Sequence, residues 1–382
     1  MPWKETMAED ERTKFVEAYR SRVWSMTELC ERFGVSRPTG YKWVYRSEQE
    51  GLVGLGDRSR APKNCPHRTA AKVREAILAT KRTHPDWGPG KILDYLADQR
   101  PGLALPATST AGALLDRSGL VARRRTSRRW SHPQGPVLRP TGPNQIVTAD
   151  FKGQFRTRDG RYCYPVTIAD AYSRYLLACQ ALSSIRTEEA RPVFERLFRE
   201  IGLPEAIHTD NGSPFSSTGL HGLCALSVWW IRLGIRHHLS RPGKPQDNGA
   251  HERMHRTLKQ ATARPPEANL RAQQGRFDAF RQEFNQIRPH EALGGKPPAR
   301  LWTPSSRPYP KAIPQPNYPG HYETRRVSNA GCIRFKAHVL FVSQAIKREW
   351  IGLEEVDNGV WSVYFYDVLL ARLDEQEMVL FT

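Results

Sequence analysis

The sequence lacks cysteine pairs at the spacing of a metal site or a redox motif. Its six cysteines are scattered between Cys30 and Cys332, and no two of them form a C-x-x-C pair. Neither a disulfide framework nor a cysteine zinc site is therefore indicated. We expect a reduced, cytosolic compartment for this protein.

Long apolar runs are also absent. The longest stretch without Asp, Glu, Lys or Arg, residues 211–231, is interrupted by Asn, Ser, Thr, Pro, Gly and His, and only 224–231 is densely apolar. This pattern predicts a buried helix rather than a membrane span. Residues 1–14 are highly charged and have no apolar core, which argues against a signal peptide. We therefore expect no membrane partner.

Acidic residues are in the minority. The chain has 39 aspartates and glutamates against 58 lysines and arginines, which leaves a formal charge of +19. The excess is +10 over residues 1–130, +1 over 131–139, +8 over 140–302 and zero over 303–382. A polyanion is therefore the first partner to consider. A hydrophobic fraction of 39% is too high for a disordered polycation.

Proline, glycine and charge divide the 382 residues into several segments, in keeping with about 150 residues per domain. Residues 131–143 and 297–319 are rich in proline and indicate linkers. We predict these segments: a helix-turn-helix domain (1–66), a second helical DNA-binding domain with a basic arm (67–130), a linker (131–143), an α/β catalytic core (144–302), a Pro-rich linker (303–320) and a small β-barrel (321–382).

Residues 10–47 have the pattern of three short helices. Ser25 and Glu28 form a capping box that predicts the start of the second helix. In the third helix we expect Tyr41, Val44 and Tyr45 to be buried. The outward residues, which could reach DNA from a major groove, are Arg37, Thr39, Lys42 and Arg46. A small helical bundle with a solvated face is the alternative.

A second helical set, at 70–83, 89–98 and 108–118, ends in a basic arm with five arginines in eight residues. Phosphate is the natural counter-charge for such a run, although a solvated arm is the usual role of dense charge. The arm residues that we expect to bind DNA phosphates are Arg123, Arg124, Arg125, Arg128 and Arg129.

From residue 144 the pattern changes to strands. Runs at 145–155, 161–168 and 175–182 predict an antiparallel meander, and the segments that follow alternate between helices and short strands. Beyond the second linker, short alternating runs predict a small all-β barrel or sandwich, with a hairpin turn at Asp357, Asn358 and Gly359.

Three carboxylates lie where composition alone would not place them. Asp150 interrupts an apolar strand, Asp210 ends a short strand, and Glu252 lies in the first turn of a helix. Each has an ordinary explanation: a buried ion pair, a turn and a favourable helix dipole, respectively. If they converge at one sheet edge, their repulsion requires divalent cations, and oxygen ligands favour magnesium or manganese.

The helix that carries Glu252 supports this interpretation and also offers a rival one. We expect His255, Arg256 and Lys259 to share its face, opposite Met254, so that an acid for metal lies beside cations for phosphates. The same helix contains H-E-x-x-H at 251–255, the signature of zinc metalloproteases. An ordinary amphipathic helix is the third possibility.

Four sequence strings together resemble the integrase-core transposases of bacterial insertion sequences, which are relatives of retroviral integrases. The strings are TADFKG at 148–153, TDNG at 209–212, PGKPQDNG at 242–249 followed by Glu252-Arg253, and RPHEAL at 288–293. The resemblance covers roughly residues 144–302, and the helix-turn-helix front fits the end-binding region of the same family.

This resemblance implies a multidomain α+β protein with a ribonuclease H-like core, whose Asp150, Asp210 and Glu252 match the family's catalytic, metal-binding triad. It further implies two Mg²⁺ (or Mn²⁺) ions per active site and a homo-oligomer that nicks terminal inverted repeats and joins them to target DNA in the bacterial cytoplasm, at the nucleoid. We expect Lys244, Arg256 and Lys259 to bind phosphates.

Two departures from the family's pattern are visible. Asp210 and Glu252 are separated by 41 residues, more than is usual, with the extra length around 217–230, and the zinc module that opens retroviral integrases is absent. A non-catalytic, sequence-specific DNA-binding regulator derived from a transposase is the alternative function.

Overall fold

The structure is a computed structural model of the 382-residue chain. The residues it describes are 8–59, 68–121, 139–217, 219, 222–241 and 248–381. The chain divides into two compact units, Met1–Thr69 and Ala70–Thr382.

The first unit is a three-helix domain. Its helices are α1 (Ala8–Arg20), α2 (Met26–Arg32) and α3 (Arg37–Glu50). The predicted capping box is present at the start of α2, where the Ser25 backbone N–H donates to the Glu28 carboxylate at 2.9 Å and the Glu28 backbone N–H donates to the Ser25 hydroxyl at 3.4 Å. These reciprocal bonds satisfy two amides that the helix leaves unpaired.

The buried face of α3 differs from the one that the sequence pattern predicts. Val44 is buried, but Tyr41 is 50% exposed and Tyr45 is 63% exposed. The side of α3 that contacts α1 and α2 instead includes Gly40, because a Cβ there would lie within 3.0 Å of Cys30 and Phe15. The close approach that this glycine permits rotates both tyrosines to the outside.

The second unit begins with three helices, α4 (Ala71–Thr83), α5 (Pro89–Gln99) and α6 (Thr108–Arg117), at the positions that the sequence predicts. They enclose a core in which Ile77, Trp87 and Ile92 are fully buried. Stacking of His84 on Trp87, at 3.8 Å between ring centroids, closes one end of this core.

A mixed sheet forms the centre of the second unit. Its strands are β1 (Ile146–Phe151), β2 (Phe155–Arg156), β3 (Tyr162–Asp170), β4 (Leu176–Leu182), β5 (Ala206–Thr209) and β6 (Arg236–Leu239). The order is β4-β3-β1-β5-β6, and β2 pairs with the first two residues of β3. The antiparallel meander of β1, β3 and β4 is confirmed, while β5 and β6 run parallel to β1.

Helices cover both faces of this sheet. They are α7 (Thr187–Ile201), α8 (Ala225–Arg232), α9 (Gly249–Thr262) and α10 (Leu270–Gln286). One face packs against α7 and α8 around Phe194 and Trp230, and the other packs against α9 and α10 around Leu258 and Phe277. Successive residues of a strand point to opposite faces. Because Ala149 belongs to the α7 and α8 core, Asp150 points to the α9 side.

Seven strands form the C-terminal β domain: β7 (Glu323–Arg326), β8 (Cys332–Phe335), β9 (His338–Phe341), β10 (Trp350–Asp357), β11 (Val360–Phe365), β12 (Val368–Asp374) and β13 (Val379–Phe381). Five form an antiparallel sheet of order β13-β12-β11-β10-β7, and β8 pairs with β9. Gly359, with φ of 75°, closes the predicted hairpin between β10 and β11. The predicted fold class is confirmed by this combination of helical domains, ribonuclease H-like sheet and all-β domain.

Helix α8 contributes to two hydrophobic cores. Leu226 and Trp230 belong to the core beneath the mixed sheet, whereas Val228 and Ile231 pack into the core of the C-terminal β domain. Arg232 at the end of α8 adds an ion pair to Glu349 at 2.9 Å.

Among the residues that the structure describes, no helix combines the length and the apolar character that crossing a membrane requires.

Candidate active site

Asp150 and Asp210 occupy equivalent places on two neighbouring parallel strands. The parallel register of β1 and β5 ends with Ala149 opposite Thr209, and each aspartate comes one residue later. Equivalent residues of adjacent strands lie about 4.8 Å apart. The register therefore brings both carboxylates to the same edge of the sheet.

Glu252 reaches this edge from α9. It is exposed in the first turn of the helix, and the helix packs on the face of the sheet to which Asp150 points. His255, one turn after Glu252, has its Nδ1 3.6 Å from Oδ2 of Asp150. The packing of this one helical turn on β1 thus sets where Glu252 lies relative to Asp150.

The electrostatics of Asp150 link the three carboxylates. Burial raises the pKa of Asp150, and with the added effect of the charges of Asp210 and Glu252 the pKa reaches about 7. A hydrogen bond from the Phe151 backbone and the charge of Lys152 oppose this rise without reversing it. The protein alone therefore does not compensate the negative charge at this edge, as a cation site requires.

Cations flank the carboxylates. Burial and the nearby charge of Lys259 lower the pKa of Lys152, which shows that the two ammonium groups lie within electrostatic range of each other. Lys259 is exposed on α9, on the same stripe as Glu252 and Arg256. Positive side chains beside a carboxylate cluster suit a polyanion that carries phosphates on either side of the reacting bond.

His255 does not share the face of Glu252, contrary to the expectation from the sequence. It is buried together with His251, Met254 and Leu258, whereas Glu252 is exposed. His255 falls at the boundary of the apolar stripe on α9, and the hydroxyl of Thr167 on β3 draws its ring inward with a contact of 2.6 Å.

The contacts of His251 and His255 do not match the zinc protease interpretation of H-E-x-x-H. In that class of enzyme two histidine nitrogens bind the metal. Here Nε2 of His251 and Nε2 of His255 each lie 2.6 Å from the hydroxyl oxygen of Thr167, which takes the place between them. Nδ1 of His251 is also engaged, by Thr148 at 2.8 Å.

The donor set at the sheet edge fits a hard divalent cation. Asp150, His251 and His255 offer ligand atoms within 4.8 Å of one another, but both ring nitrogens of His251 already have partners. The carboxylates of Asp150, Asp210 and Glu252 supply oxygen, which Mg²⁺ and Mn²⁺ prefer.

The predicted DNA-contacting residues that can be placed lie on two helices. On α3, Arg37 and Lys42 are exposed, while Thr39 and Arg46 are partly exposed. Lys42, Arg46 and Arg12 surround the Trp43 ring, at 4.8, 5.0 and 4.0 Å from its centroid. Arg256 and Lys259 are exposed on α9. The remaining predicted residues lie outside the described part of the chain: Arg123, Arg124, Arg125, Arg128, Arg129 and Lys244.

Sequence reasoning missed several residues of the site. Thr148 and Thr167 hold the histidine rings, and Lys152 lies beside Asp150. A signal was present for Thr148, because a residue two positions before Asp150 on a strand shares its face. The partnership with Thr167 depends on the register of β1 with β3 and leaves no local sequence pattern.

Comparison with known families agrees with this geometry. Two models described as integrase core domain match residues 140–245 and 233–298, which together hold the whole mixed sheet and α9. Residues 140–298 of this chain are therefore similar to integrase core domains. Models of a helix-turn-helix domain and a homeodomain-like domain match residues 11–63 and 39–115.

Its relatives include insertion-element and retroviral proteins. The 39.2 kDa protein of insertion element IS476 of Xanthomonas euvesicatoria is 27% identical over 254 residues, covering 65% of this chain and 70% of the relative. The 31.7 kDa protein of IS407 of Burkholderia multivorans is 26% identical, covering 48% and 65%. The Pol polyprotein of feline endogenous virus ECE1 is 26% identical, and the match spans 49% of this chain but only 21% of the polyprotein.

A solved structure of the HTLV-2 integrase catalytic core domain in complex with magnesium is more distant, with 18% identity over 43% of this chain and 99% of that chain and a TM-score of 0.34. The family models and the insertion-element relatives confirm the resemblance of this chain to insertion-sequence transposases.

Proposed function

We propose that this protein is a transposase that nicks the ends of its own insertion sequence and joins the freed 3′-hydroxyls to target DNA. The observation that carries the proposal is the register of β1 and β5, which brings Asp150 and Asp210 to the same end of neighbouring strands. The raised pKa of Asp150, to which both Asp210 and Glu252 contribute, supports a cluster of three carboxylates there. Such a cluster is unfavourable unless cations complete it.

Asp150, Asp210 and Glu252 would hold Mg²⁺ or Mn²⁺, and we propose two ions per site. When bound, such ions lower the pKa of the attacking hydroxyl or water and stabilise charge on the departing oxygen. Lys152, Arg256 and Lys259 would bind the phosphates on either side of the reacting bond, which keeps the strand in place between the carboxylates and α9.

The reaction has two steps in this proposal. Water first attacks the phosphorus at the end of the element, the bond to the 3′-oxygen breaks, and that oxygen leaves as a 3′-hydroxyl. The hydroxyl then attacks a phosphorus of the target, and the departing 3′-oxygen of the target takes up a proton. One phosphodiester bond breaks and one forms in the joining step, so no covalent enzyme intermediate is required.

The helix-turn-helix domain would recognise the terminal inverted repeats. The first half of α3 carries Arg37 and Lys42, whereas its last turns carry Glu48 and Glu50. The N-terminal half of α3 therefore suits the groove of DNA, as is usual for recognition helices. Tyr41 and Tyr45 are exposed on the same helix and would add apolar contacts to base edges.

The basic arm at 123–129 and the loop at Lys244 remain predictions as phosphate-binding segments. We further propose that the protein acts as a homo-oligomer that holds two element ends, in the bacterial cytoplasm at the nucleoid. The segment boundaries predicted from the sequence, with the catalytic core at 144–302, are part of the same proposal.

The test is cleavage of labelled duplex DNA that carries the inverted repeats flanking the coding region. The Asp210→Asn and Glu252→Gln variants should lose Mg²⁺-dependent nicking and still bind the duplex. Glu205→Gln is the matched control. Glu205 lies directly before the first residue of β5, at the end away from Asp210, and is exposed beside Arg236. Nicking by Asp210→Asn at the wild-type rate would contradict the mechanism, and specific binding without nicking by wild type would indicate a DNA-binding regulator.

A further inference from the structure

Two threonines and two histidines form a continuous polar chain behind Asp150. Thr148 Oγ1 lies 2.8 Å from Nδ1 of His251, and Nε2 of His251 lies 2.6 Å from Thr167 Oγ1. Thr167 Oγ1 lies 2.6 Å from Nε2 of His255, whose Nδ1 is 3.6 Å from Oδ2 of Asp150. The chain begins on β1, passes to α9, then to β3 and back to α9, and returns to β1 two residues further along.

Three members of this chain are shielded from water, and Thr148 is partly buried. Thr167 is 0%, His251 3% and His255 6% exposed. At alkaline pH an imidazole ring is neutral. A neutral imidazole carries one proton on its two nitrogens, and a hydroxyl can donate only one hydrogen bond. The four groups therefore supply one proton for each of the four contacts, so the direction of one contact determines the direction of the others.

The direction of the hydrogen bonds follows from the contact between His255 and Asp150. An ionised carboxylate can only accept, and its negative charge at 3.6 Å favours the proton on the nitrogen that faces it, Nδ1 of His255. Nε2 of His255 then accepts from the Thr167 hydroxyl. Thr167 has no second proton, so Nε2–H of His251 donates to its oxygen.

The same reasoning fixes the far end of the chain. His251 has used its proton, so its Nδ1 accepts from the Thr148 hydroxyl. The competing acceptors are farther away than the histidine nitrogens. The carbonyl oxygen of Asp150 is 3.1 Å from Thr167 Oγ1, and that of Ala169 is 3.2 Å from Thr148 Oγ1.

We propose that His255 is a positioning residue that donates its Nδ1–H toward Asp150, and that the one-directional chain Thr148–His251–Thr167–His255 sets the carboxylate of Asp150 for metal binding. The inference rests on the proposed function for the role of Asp150. Residues behind a ligand that fix its orientation commonly matter almost as much as the ligand.

The chain also couples two of the proposed ligands. His251 immediately precedes Glu252 and His255 follows it by three residues, so both rings lock the first turns of α9 against β1 and β3. Rotation of α9 about its axis would move Glu252 and break these contacts together. The chain therefore couples the orientation of the Glu252 side chain to the orientation of the Asp150 carboxylate.

The proton positions can be measured directly. Nitrogen-15 NMR of ring-labelled wild-type protein, at a pH alkaline enough to ionise Asp150, should show the Nδ1–H tautomer for His255 and the Nε2–H tautomer for His251. An Nε2–H tautomer at His255 would overturn the proposal. The measurement uses neither DNA nor cleavage, so its outcome is separate from that of the nicking assay.

Substitutions test the positioning role through Mn²⁺ affinity, measured by electron paramagnetic resonance. His255→Asn retains a donor at the place of Nδ1, whereas His255→Gln retains only a group at the place of Nε2. We expect His255→Gln to weaken Mn²⁺ binding about 10- to 100-fold, as is typical when a residue that orients a metal ligand is replaced. His255→Asn should weaken Mn²⁺ binding severalfold less. Equal losses in the two variants would refute donation toward Asp150.

Thr167 offers an isosteric pair of variants. Thr167→Ser preserves the hydroxyl and should preserve the His255 tautomer and the Mn²⁺ affinity. Thr167→Val keeps the shape of the side chain but removes its hydrogen-bond donor and acceptor. His255 should then no longer be held in the Nδ1–H tautomer, and Mn²⁺ binding should weaken. Circular dichroism identifies any variant that does not fold, and a folded Thr167→Val protein with unchanged tautomer and affinity would overturn the chain.

Discussion

The guanidinium of Arg288 donates to the carboxylate of Asp86 at 2.9 Å, and this bond joins the RPHEAL string to the α4–α6 helical set. A second contact beside it, between His84 and Glu283 at 3.3 Å, crosses the same boundary. The string that contributes to the family resemblance therefore has a structural role. It holds the second helical set against the catalytic core.

Replacement of Arg288 by methionine should destabilise the second unit by about 2 kcal/mol. The aliphatic stem is retained, but Asp86 loses the buried guanidinium that pairs with it. The loss lies below the range for fully buried pairs because Asp86 is about a third exposed and Lys91 is nearby. Urea denaturation measures the change. Arg300→Met removes an exposed pair to Asp98 and should change stability by less than about 0.5 kcal/mol.

Asp150 should make the metal-free protein less stable as the pH rises. Its pKa is raised from 3.8 to about 7 in the folded protein, so between about pH 4 and pH 7 the folded state binds more protons than the unfolded state. The free energy of unfolding then falls with pH across this window, by at most roughly 4 kcal/mol, and levels off above it. Asp150→Asn should remove this slope and be more stable than wild type at pH 8.

Mg²⁺ provides the complementary measurement for this prediction. A cation that neutralises the carboxylates should raise the melting temperature much more at pH 8 than at pH 5, where Asp150 is protonated. Scans of wild type and Asp150→Asn with and without MgCl₂ measure the difference. Equal Mg²⁺ stabilisation at both pH values would count against a cation site at Asp150.

Lys42 should contribute a phosphate contact. Lys42→Ala should weaken binding of the duplex with the inverted repeats and lower the slope of log affinity against log salt by about 1, because one fewer counterion is released. Fluorescence anisotropy at several salt concentrations gives this slope. Gln49→Ala, at the exposed C-terminal end of the same helix, is the control and should leave the slope unchanged.

Tyr45 should affect DNA binding without affecting folding. Since it is 63% exposed, Tyr45→Ala should change the free energy of unfolding by less than about 0.5 kcal/mol, whereas Val44→Ala removes a buried side chain and should cost about 1–2 kcal/mol. In an anisotropy assay, Tyr45→Ala should bind the specific duplex more weakly than wild type does. A large stability loss in Tyr45→Ala would contradict the exposed position of Tyr45 and support the buried position that its spacing predicts.

The elements of the core could be predicted because their signals are local. The alternation of β1, the capping box at Ser25 and the turn at Gly359 each depend on a few neighbouring residues. Asp150, Asp210 and Glu252 could be selected because each interrupts such a local pattern. Their grouping depends on strand order, which the family resemblance supplied.

The errors arose where a contact from another element decides orientation. The 3.6-residue period places Tyr41 and Tyr45 near the buried stripe of α3, but the close approach of α3 at Gly40 turns them outward. Likewise His255 lies between the two faces of α9, and a hydroxyl on β3 decides which face it joins. Helical periodicity gives no information about either partner.

Helix α8 has a consequence for how the second unit unfolds. Its side chains complete the core of the mixed sheet on one side and the core of the C-terminal β domain on the other, so neither core can open without exposing apolar surface of the other. The two should melt in one cooperative transition, with a denaturant dependence that reflects their combined area. The C-terminal β domain, part of the segment 303–382 whose net charge is zero, thereby stabilises the sheet that carries the carboxylates, although none of the three carboxylates belongs to it.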